Sequence, residues 1–267
     1  MISFPGCKIN LGLNVLGKRD DGYHTIQSVL YPIQWKEILE LVENEKFIFS
    51  STGLAIPGNS DSNLCVKAYQ LLKKDFDLAP VHIHLHKIIP MGGGLGGGSS
   101  DGAYTLSLLN DLFALELSNE ELKKYAAELG SDCPFFIENT PQYATETGTV
   151  LENVELNLGG YYIKLVNLGL HVSTAEAYAN IAFLDGLKNP QDIVKLPMEE
   201  WKGQLTNSFE TSVFKMFPQL AEVKETLYNE GALYAAMTGS GSTMFGIYKE
   251  EPENSFPLAK FEQIIKL

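Results

Sequence analysis

From Lys8 the chain alternates with a period of two: Ile9, Leu11, Leu13 and Val15 fall on one side, Lys8, Asn10, Gly12 and Asn14 on the other. This predicts a strand with one buried and one solvated face, Asn14 being on the solvated side. An Asp-Gly turn at Asp21-Gly22 follows, and Ile26, Val29 and Leu30 resume a strand. Residues 37–50 read as two short strands. A helix opens near Asp61 with Leu64, Ala68, Leu71 and Leu72 on its apolar face. Residues 81–89 alternate again and stop at Pro90, after which Ala103, Leu106, Leu109 and Leu112 repeat at helical spacing. Ser118 to Glu121 is a capping box for a helix that runs through Leu129 and closes at Gly130. The second half predicts paired strands over 142–154, a buried strand over 161–168 and a second capping box at Ser173 to Glu176. An amphipathic helix over 220–230 and a strand, glycine turn and strand over 232–248 complete it. Residues 187–207 carry loop, a short helix and no motif. Strands and helices are mixed along the chain, with a domain boundary expected near Leu156, hence domains of 1–156 and 157–267.

Between the strand ending at Pro90 and the helix carrying Ala103, six of the 24 glycines lie within 92–98, interrupted by Leu95. Such a run is entropically costly and packs nothing. It offers bare amides and room for a ligand against the main chain. Ser99 or Ser100 is placed to cap the helix that follows. A glycine loop opening a helix favours an anion, phosphate above all. A Walker loop would need Gly-Lys-Ser/Thr, and no lysine is present. Gly92-x-Gly94-x-x-Gly97 meets the dinucleotide fingerprint formally, yet it does not open the first βαβ unit.

Composition narrows the classes. A net charge of −13 disfavours nucleic acid and anionic membranes as partners, and leaves local amides and a few cations to hold an anionic nucleotide. No apolar run approaches the ~18 residues of a membrane helix. Residues 1–17 lack a basic start and a small-residue cleavage site, so they read as part of the fold. Cys7, Cys65 and Cys133 form no Cys-x-x-Cys pair, as expected of reduced thiols in a cytoplasmic protein.

Pro90, Gly94, Leu95, Gly96, Ser99 and Ser100 match Pro-x-x-x-Gly-Leu-Gly-x-Ser-Ser with one additional glycine before the serines. This resembles the central motif of the GHMP kinase superfamily, which includes galactokinase, homoserine kinase and mevalonate kinase. Lys8-Ile-Asn10-Leu resembles its first motif, and Gly239-Ser240-Gly241-Ser242 its third. The doubled glycine triplet and Asp21-Gly22-Tyr23-His24 are similar to the branch that acts on a cytidine-diphosphate-linked methylerythritol for isoprenoid precursor synthesis. One departure is Gly6-Cys7, where an alanine is usual.

The resemblance implies an α+β fold of two domains, an N-terminal ribosomal-protein-S5-domain-2-like domain and a C-terminal ferredoxin-like α/β sandwich. It implies phosphorylation of the acceptor's 2-hydroxyl with ATP and Mg²⁺. Pro90, Met91, Gly92, Gly93, Gly94, Leu95, Gly96, Gly97, Gly98, Ser99 and Ser100 would hold the ATP phosphates, and Asn63 would lie near the adenine. Lys8 and Asp132 would be the catalytic pair. Asp132 serves as general base in that reading, and Lys8 keeps it ionised and offsets charge on the γ-phosphate. Asn10, Tyr23, His24, Thr174, Tyr178, Gly239 and Ser240 would bind the acceptor. Tyr23 would stack on the cytosine and His24 hydrogen-bond it, with Tyr178 replacing a commoner phenylalanine on the other face. No residue is assigned to the metal; Asp101 reads either as a ligand or as a first-turn acid, with the structural role favoured. The expected partner is a small molecule, and the expected state a monomer or weak homodimer. Competing readings are a GHMP kinase for another small alcohol, a nucleotide-binding regulator without catalysis and a dehydrogenase. Tyr23-His24 argues against the first and the retention of Lys8 with Asp132 against the second. The third lacks an opening βαβ unit.

Overall fold

In the computed structural model, residues 1–179, 181, 183, 186–253 and 256–267 are described. The elements of the first half are β1 (Ile2–Ser3), β2 (Cys7–Lys18), β3 (His24–Ile33), β4 (Ile38–Glu43), β5 (Ile48–Gly53), α1 (Leu64–Asp75), β6 (Val81–Lys87), α2 (Gly97–Leu112), α3 (Asn119–Leu129) and α4 (Phe135–Glu138). Those of the second half are β7 (Gln142–Thr145), β8 (Val150–Asn153), β9 (Tyr162–Asn167), α5 (Thr174–Ala179), α6 (Pro190–Ile193), α7 (Glu210–Met216), α8 (Pro218–Asn229), β10 (Tyr234–Met237), β11 (Met244–Tyr248) and β12 (Phe261–Lys266). The α+β class that the resemblance implies is the one observed. The chain resolves into two compact units, neither of them continuous in sequence: residues 1–8, 34–91 and 96–140 form the first, and 9–33, 92–95 and 141–267 the second.

The first unit is one four-stranded sheet, ordered β1-β4-β6-β5, with helices α1 to α4. β4 and β6 run antiparallel and β5 joins β6 in parallel. The period-two pattern of β6 decides the faces: Val81, Ile83, Leu85 and Lys87 are buried, while His82, His84 and His86 are only partly covered. A lysine in phase with the apolar positions is therefore a core residue here. α2 buries Ala103, Leu106 and Leu109. Its Gly102 lies against the start of α1, where a Cβ would stand 2.9 Å from Leu64 Cβ. The Ser118–Glu121 capping box is formed in both directions at the start of α3, and Gly130 ends that helix.

The second unit has two sheets, β2-β3-β7-β8 and β10-β11-β9-β12. The second is antiparallel throughout, with β9 and β11 in its centre. Leu13, Val15, Phe209, Leu220, Leu227 and Met237 belong to the core of this unit. The sequence expectation fails for the solvated face of β2, because residues 7–15 are buried throughout. The segment without a motif explains it. Residues 206–208 lie along β2, with Leu13 N–H bonded to the Thr206 carbonyl and Ser208 N–H to the Leu13 carbonyl, both at 2.8 Å. Asn14 is 1% exposed and donates through Nδ2 to the Lys188 carbonyl at 2.8 Å. An amide side chain can satisfy itself on backbone and so tolerate burial.

Ser118→Ala removes one half of the capping box and should cost about 1 kcal/mol of stability. Denaturant unfolding checks it, and an unchanged midpoint would mean that the cap contributes nothing.

Candidate active site

The glycine loop belongs to both units, residues 92–95 to the second and 96 onward to the first. In the first unit, Gly96 is the N-cap of α2, in the left-handed region at φ +70°, and no side chain caps the helix. This corrects the expectation that Ser99 or Ser100 would cap it: both lie inside the first helical turns, because the loop places a glycine where the chain must turn left-handed. The amides of the first turn are thereby left to an external acceptor. A Cβ at Gly98 would meet nothing within 4 Å, so the main chain there is open to a ligand. Ser100 Oγ is fully buried without a hydrogen-bond partner.

Beside this turn sits an ion pair. Lys8 Nζ lies 3.5 Å from Asp132 Oδ2, with the lysine side chain 4% exposed and the aspartate 40%. Lys8 is the second residue of β2, and Asp132 lies in the turn that leads into α4. A Cβ at Gly96 would stand 3.2 Å from Lys8 Cε and 3.1 Å from the ring of Phe136, so the lysine runs directly under the loop. The pairing joins an accessible carboxylate to a buried ammonium, an arrangement suited to taking a proton from an incoming hydroxyl. The neighbouring thiol is inert: burial, the larger effect, pushes Cys133 up to about 12 against a hydrogen bond from Ser99. Asn63 is the N-cap of α1, its Oδ1 accepting the Cys65 N–H at 2.8 Å. Met91 is 38% exposed.

In the second unit, the first half of the loop is stitched to the glycine turn between β10 and β11. Thr243 N–H donates to the Gly93 carbonyl at 3.2 Å, and Thr238 Oγ1 donates to the Gly94 carbonyl, also at 3.2 Å. A Cβ at Gly94, where φ is +81°, would lie 2.1 Å from the Thr238 carbonyl oxygen. Asn10 joins the same cluster, its N–H donating to Thr238 Oγ1 at 3.1 Å and its Nδ2 to Ser28 Oγ at 2.8 Å. Asn207 holds the turn from behind, with Nδ2 donating to the Met237 and Gly239 carbonyls at 2.8 and 2.9 Å. The segment Asn207-Ser-Phe-Glu210, without a role in the sequence, thus scaffolds the turn that carries Gly239 and Ser240. Thr238, Thr243 and Asn167, whose Nδ2 bonds Thr243 Oγ1 at 2.9 Å, are the other residues that sequence reasoning missed.

Thr174 Oγ1 and Ser240 Oγ lie 3.3 Å apart. The ring of His24 stacks on that of Tyr178 at 4.5 Å between centroids and 21° between planes. Burial, and secondarily Lys18, hold His24 below its ordinary range, so at neutral pH it can donate at one ring nitrogen and accept at the other. Tyr23 is 67% exposed, a free aromatic face beside this stack in sequence.

Comparisons with known proteins agree with one another. The family model "GHMP kinases N terminal domain" matches residues 63–139, and "GHMP kinases C terminal" residues 191–256. The chain is 52% identical to a 4-diphosphocytidyl-2-C-methyl-D-erythritol kinase of Cytophaga hutchinsonii, covering 95% of this chain and 94% of that protein. It is 46% identical to the Bacteroides fragilis kinase of the same name, over 98% and 96%. A crystal structure of 4-(cytidine 5'-diphospho)-2C-methyl-D-erythritol kinase superposes with a TM-score of 0.78 at 30% identity, covering 92% of this chain and 89% of that one. The Methanococcus jannaschii mevalonate kinase shares the fold, with a TM-score of 0.68 at 14% identity over 93% and 90%.

Gly94→Ala should destabilise by at least about 2 kcal/mol, since no side chain fits there at positive φ. Gly98→Ala, in open helical space, should be neutral or stabilise by up to about 1 kcal/mol. Equilibrium unfolding of the two variants compares them directly; equal midpoints would refute the close approach at Gly94.

Proposed function

The chain belongs to the 4-diphosphocytidyl-2-C-methyl-D-erythritol kinase family of the GHMP kinases, and on that basis we propose that it transfers a phosphoryl group from ATP to the 2-hydroxyl of 4-diphosphocytidyl-2-C-methyl-D-erythritol. The observation that carries this reading is the Lys8–Asp132 pair lying beside a glycine loop whose helix N-terminus no side chain caps. ATP would supply the phosphoryl group, and a Mg²⁺ bound with it would offset the charge of its phosphates. Among the described residues no group of three His, Cys, Asp or Glu side chains is fit to hold a metal. A hydroxyl of Ser99 or Ser100 would be the protein's contribution to holding a Mg²⁺ that comes with the nucleotide.

The chain's own residues do the rest by position and charge. The first-turn amides of α2 and its dipole hold the phosphate oxygens, and Gly98 lets them approach the main chain. Asp132 accepts the proton of the attacking hydroxyl, and Lys8 balances negative charge on the transferring group. Asn63 borders the adenine. Tyr23 stacks on the cytosine and His24 hydrogen-bonds its edge, with Asn10, Thr174, Tyr178, Gly239 and Ser240 completing the acceptor site. Base stacking on an aromatic ring is worth on the order of 1–3 kcal/mol. Mevalonate and homoserine have no base to gain it. Residues 1–156 are read as the N-terminal ATP-binding domain and 157–267 as the C-terminal domain. Among the described residues no helix is long and apolar enough to cross a membrane. Buried free cysteines suit a reducing cytoplasm.

Asp132→Asn should bind both substrates yet lose at least ~100-fold in kcat. Rapid-quench turnover checks it, and near-normal kcat would remove Asp132 as the base. Tyr23→Ala should raise the acceptor KM by ~5-fold or more, with the KM for ATP unchanged. An acceptor KM equal to that of the wild type would place the cytosine elsewhere. The function as a whole is tested by ADP release with the cytidylated acceptor, mevalonate, homoserine and galactose. Turnover with the first alone supports the assignment, and turnover with another would replace it.

A further inference from the structure

Beneath the glycine loop the first unit buries three charged side chains that the mechanism above does not use. Lys87 Nζ lies 2.8 Å from Glu37 Oε2 and 2.7 Å from Asp101 Oδ2. Glu37 is 0% exposed, Lys87 1% and Asp101 3%. The other oxygen of Glu37 accepts the N–H groups of Ile88 and Ile89 at 3.2 and 2.6 Å, just past the end of β6. Asp101 is on the second turn of α2. These residues therefore tie the strand that enters the loop to the helix that leaves it. The tie runs close under the phosphate-facing turn: a Cβ at Gly97 would stand 3.2 Å from Lys87 Nζ and 3.1 Å from Ile89 Cγ2.

We infer that Glu37, Lys87 and Asp101 form a buried ionic clamp that fixes both stems of the loop, and that they are positioning residues for the nucleotide phosphates. This rests on the kinase reading of the loop. A buried ion pair pays heavily in desolvation and is matched in stability by packed apolar residues, so stability is a poor reason for one. What hydrogen-bonded charge supplies and apolar packing does not is fixed direction. A helix N-terminus binds phosphate well only while its amides stay aimed at the oxygens.

Burial chiefly pushes Asp101 well above the carboxylate range; Lys87 opposes this and Glu37 adds to it. Burial would lower Lys87, but the two carboxyls outweigh it and leave the ammonium favoured.

The test is calorimetric binding of a non-hydrolysable ATP analogue with Mg²⁺, and separately of the cytidylated acceptor, alongside thermal unfolding. Asp101→Leu, nearly isosteric, removes the tie to α2 and leaves Lys87 paired one-to-one with Glu37. It should weaken nucleotide binding by about tenfold and leave acceptor binding within twofold. The neutral, hydrogen-bonding Asp101→Asn should recover most of that loss. Asp101→Ala takes the place of the leucine variant should the latter not fold. The clamp is overturned if removal of the tie leaves nucleotide affinity within twofold, or weakens both ligands alike. A wild type that binds the acceptor but no nucleotide would instead reject the kinase reading, and the clamp with it.

Discussion

At Gly94 the main chain of the loop comes so close to the Thr238 carbonyl that no Cβ fits between them. Most of what is distinctive in the second unit follows from that approach. It requires glycine at 94, a hydroxyl at 238 to bond the Gly94 carbonyl, and an asparagine at 207 to hold the turn on which Thr238 lies. Backbone packed on backbone leaves few ways to satisfy its polar groups, so each of these side chains is set by a particular donor or acceptor. The loop's remaining amides, those of the first turn of α2, have no such partner within the helix.

Much of this was legible in the sequence, for identifiable reasons. The glycine run could be read because its entropy cost demands a use. The alternating and helical periods found the elements because each has one face on a core. Failures came where a face met protein rather than solvent. Asn14 was assigned to water from its place in the alternation, yet the segment at 188–208 covers that face, and no local pattern announces so distant a cover. Capping was assigned to a serine by residue preference, whereas the left-handed turn at Gly96 decides where the helix starts. Asn207 ends a segment that shows no motif, and its partners are the Met237 and Gly239 carbonyls, about thirty residues away, which spacing alone does not reveal.

Lys87 is the instructive intermediate case. Val81, Ile83 and Leu85 set the buried phase of β6, and Lys87 continues it. A lysine in that phase is either at a strand end reaching water or paired inside. The signal for a buried charge was present, and the partners were not, because Glu37 and Asp101 are distant in sequence and only the fold brings them together.

The acidity of the chain gives the arrangement its physical sense. A protein with a net charge of −13 repels a nucleotide at long range, and dense lysine clusters are not its means of holding one. Backbone amides attract phosphate without adding side-chain entropy or changing net charge, and their strength depends on direction far more than on number. The ammonium that pairs with Asp132 beside the loop, Lys8, is itself buried and so acts through little screening solvent. Where binding depends on a few aimed dipoles and a shielded cation, rigidity of the supporting turn matters more than added charge. That is why the glycine loop sits over a clamped strand end and helix rather than over a mobile basic patch.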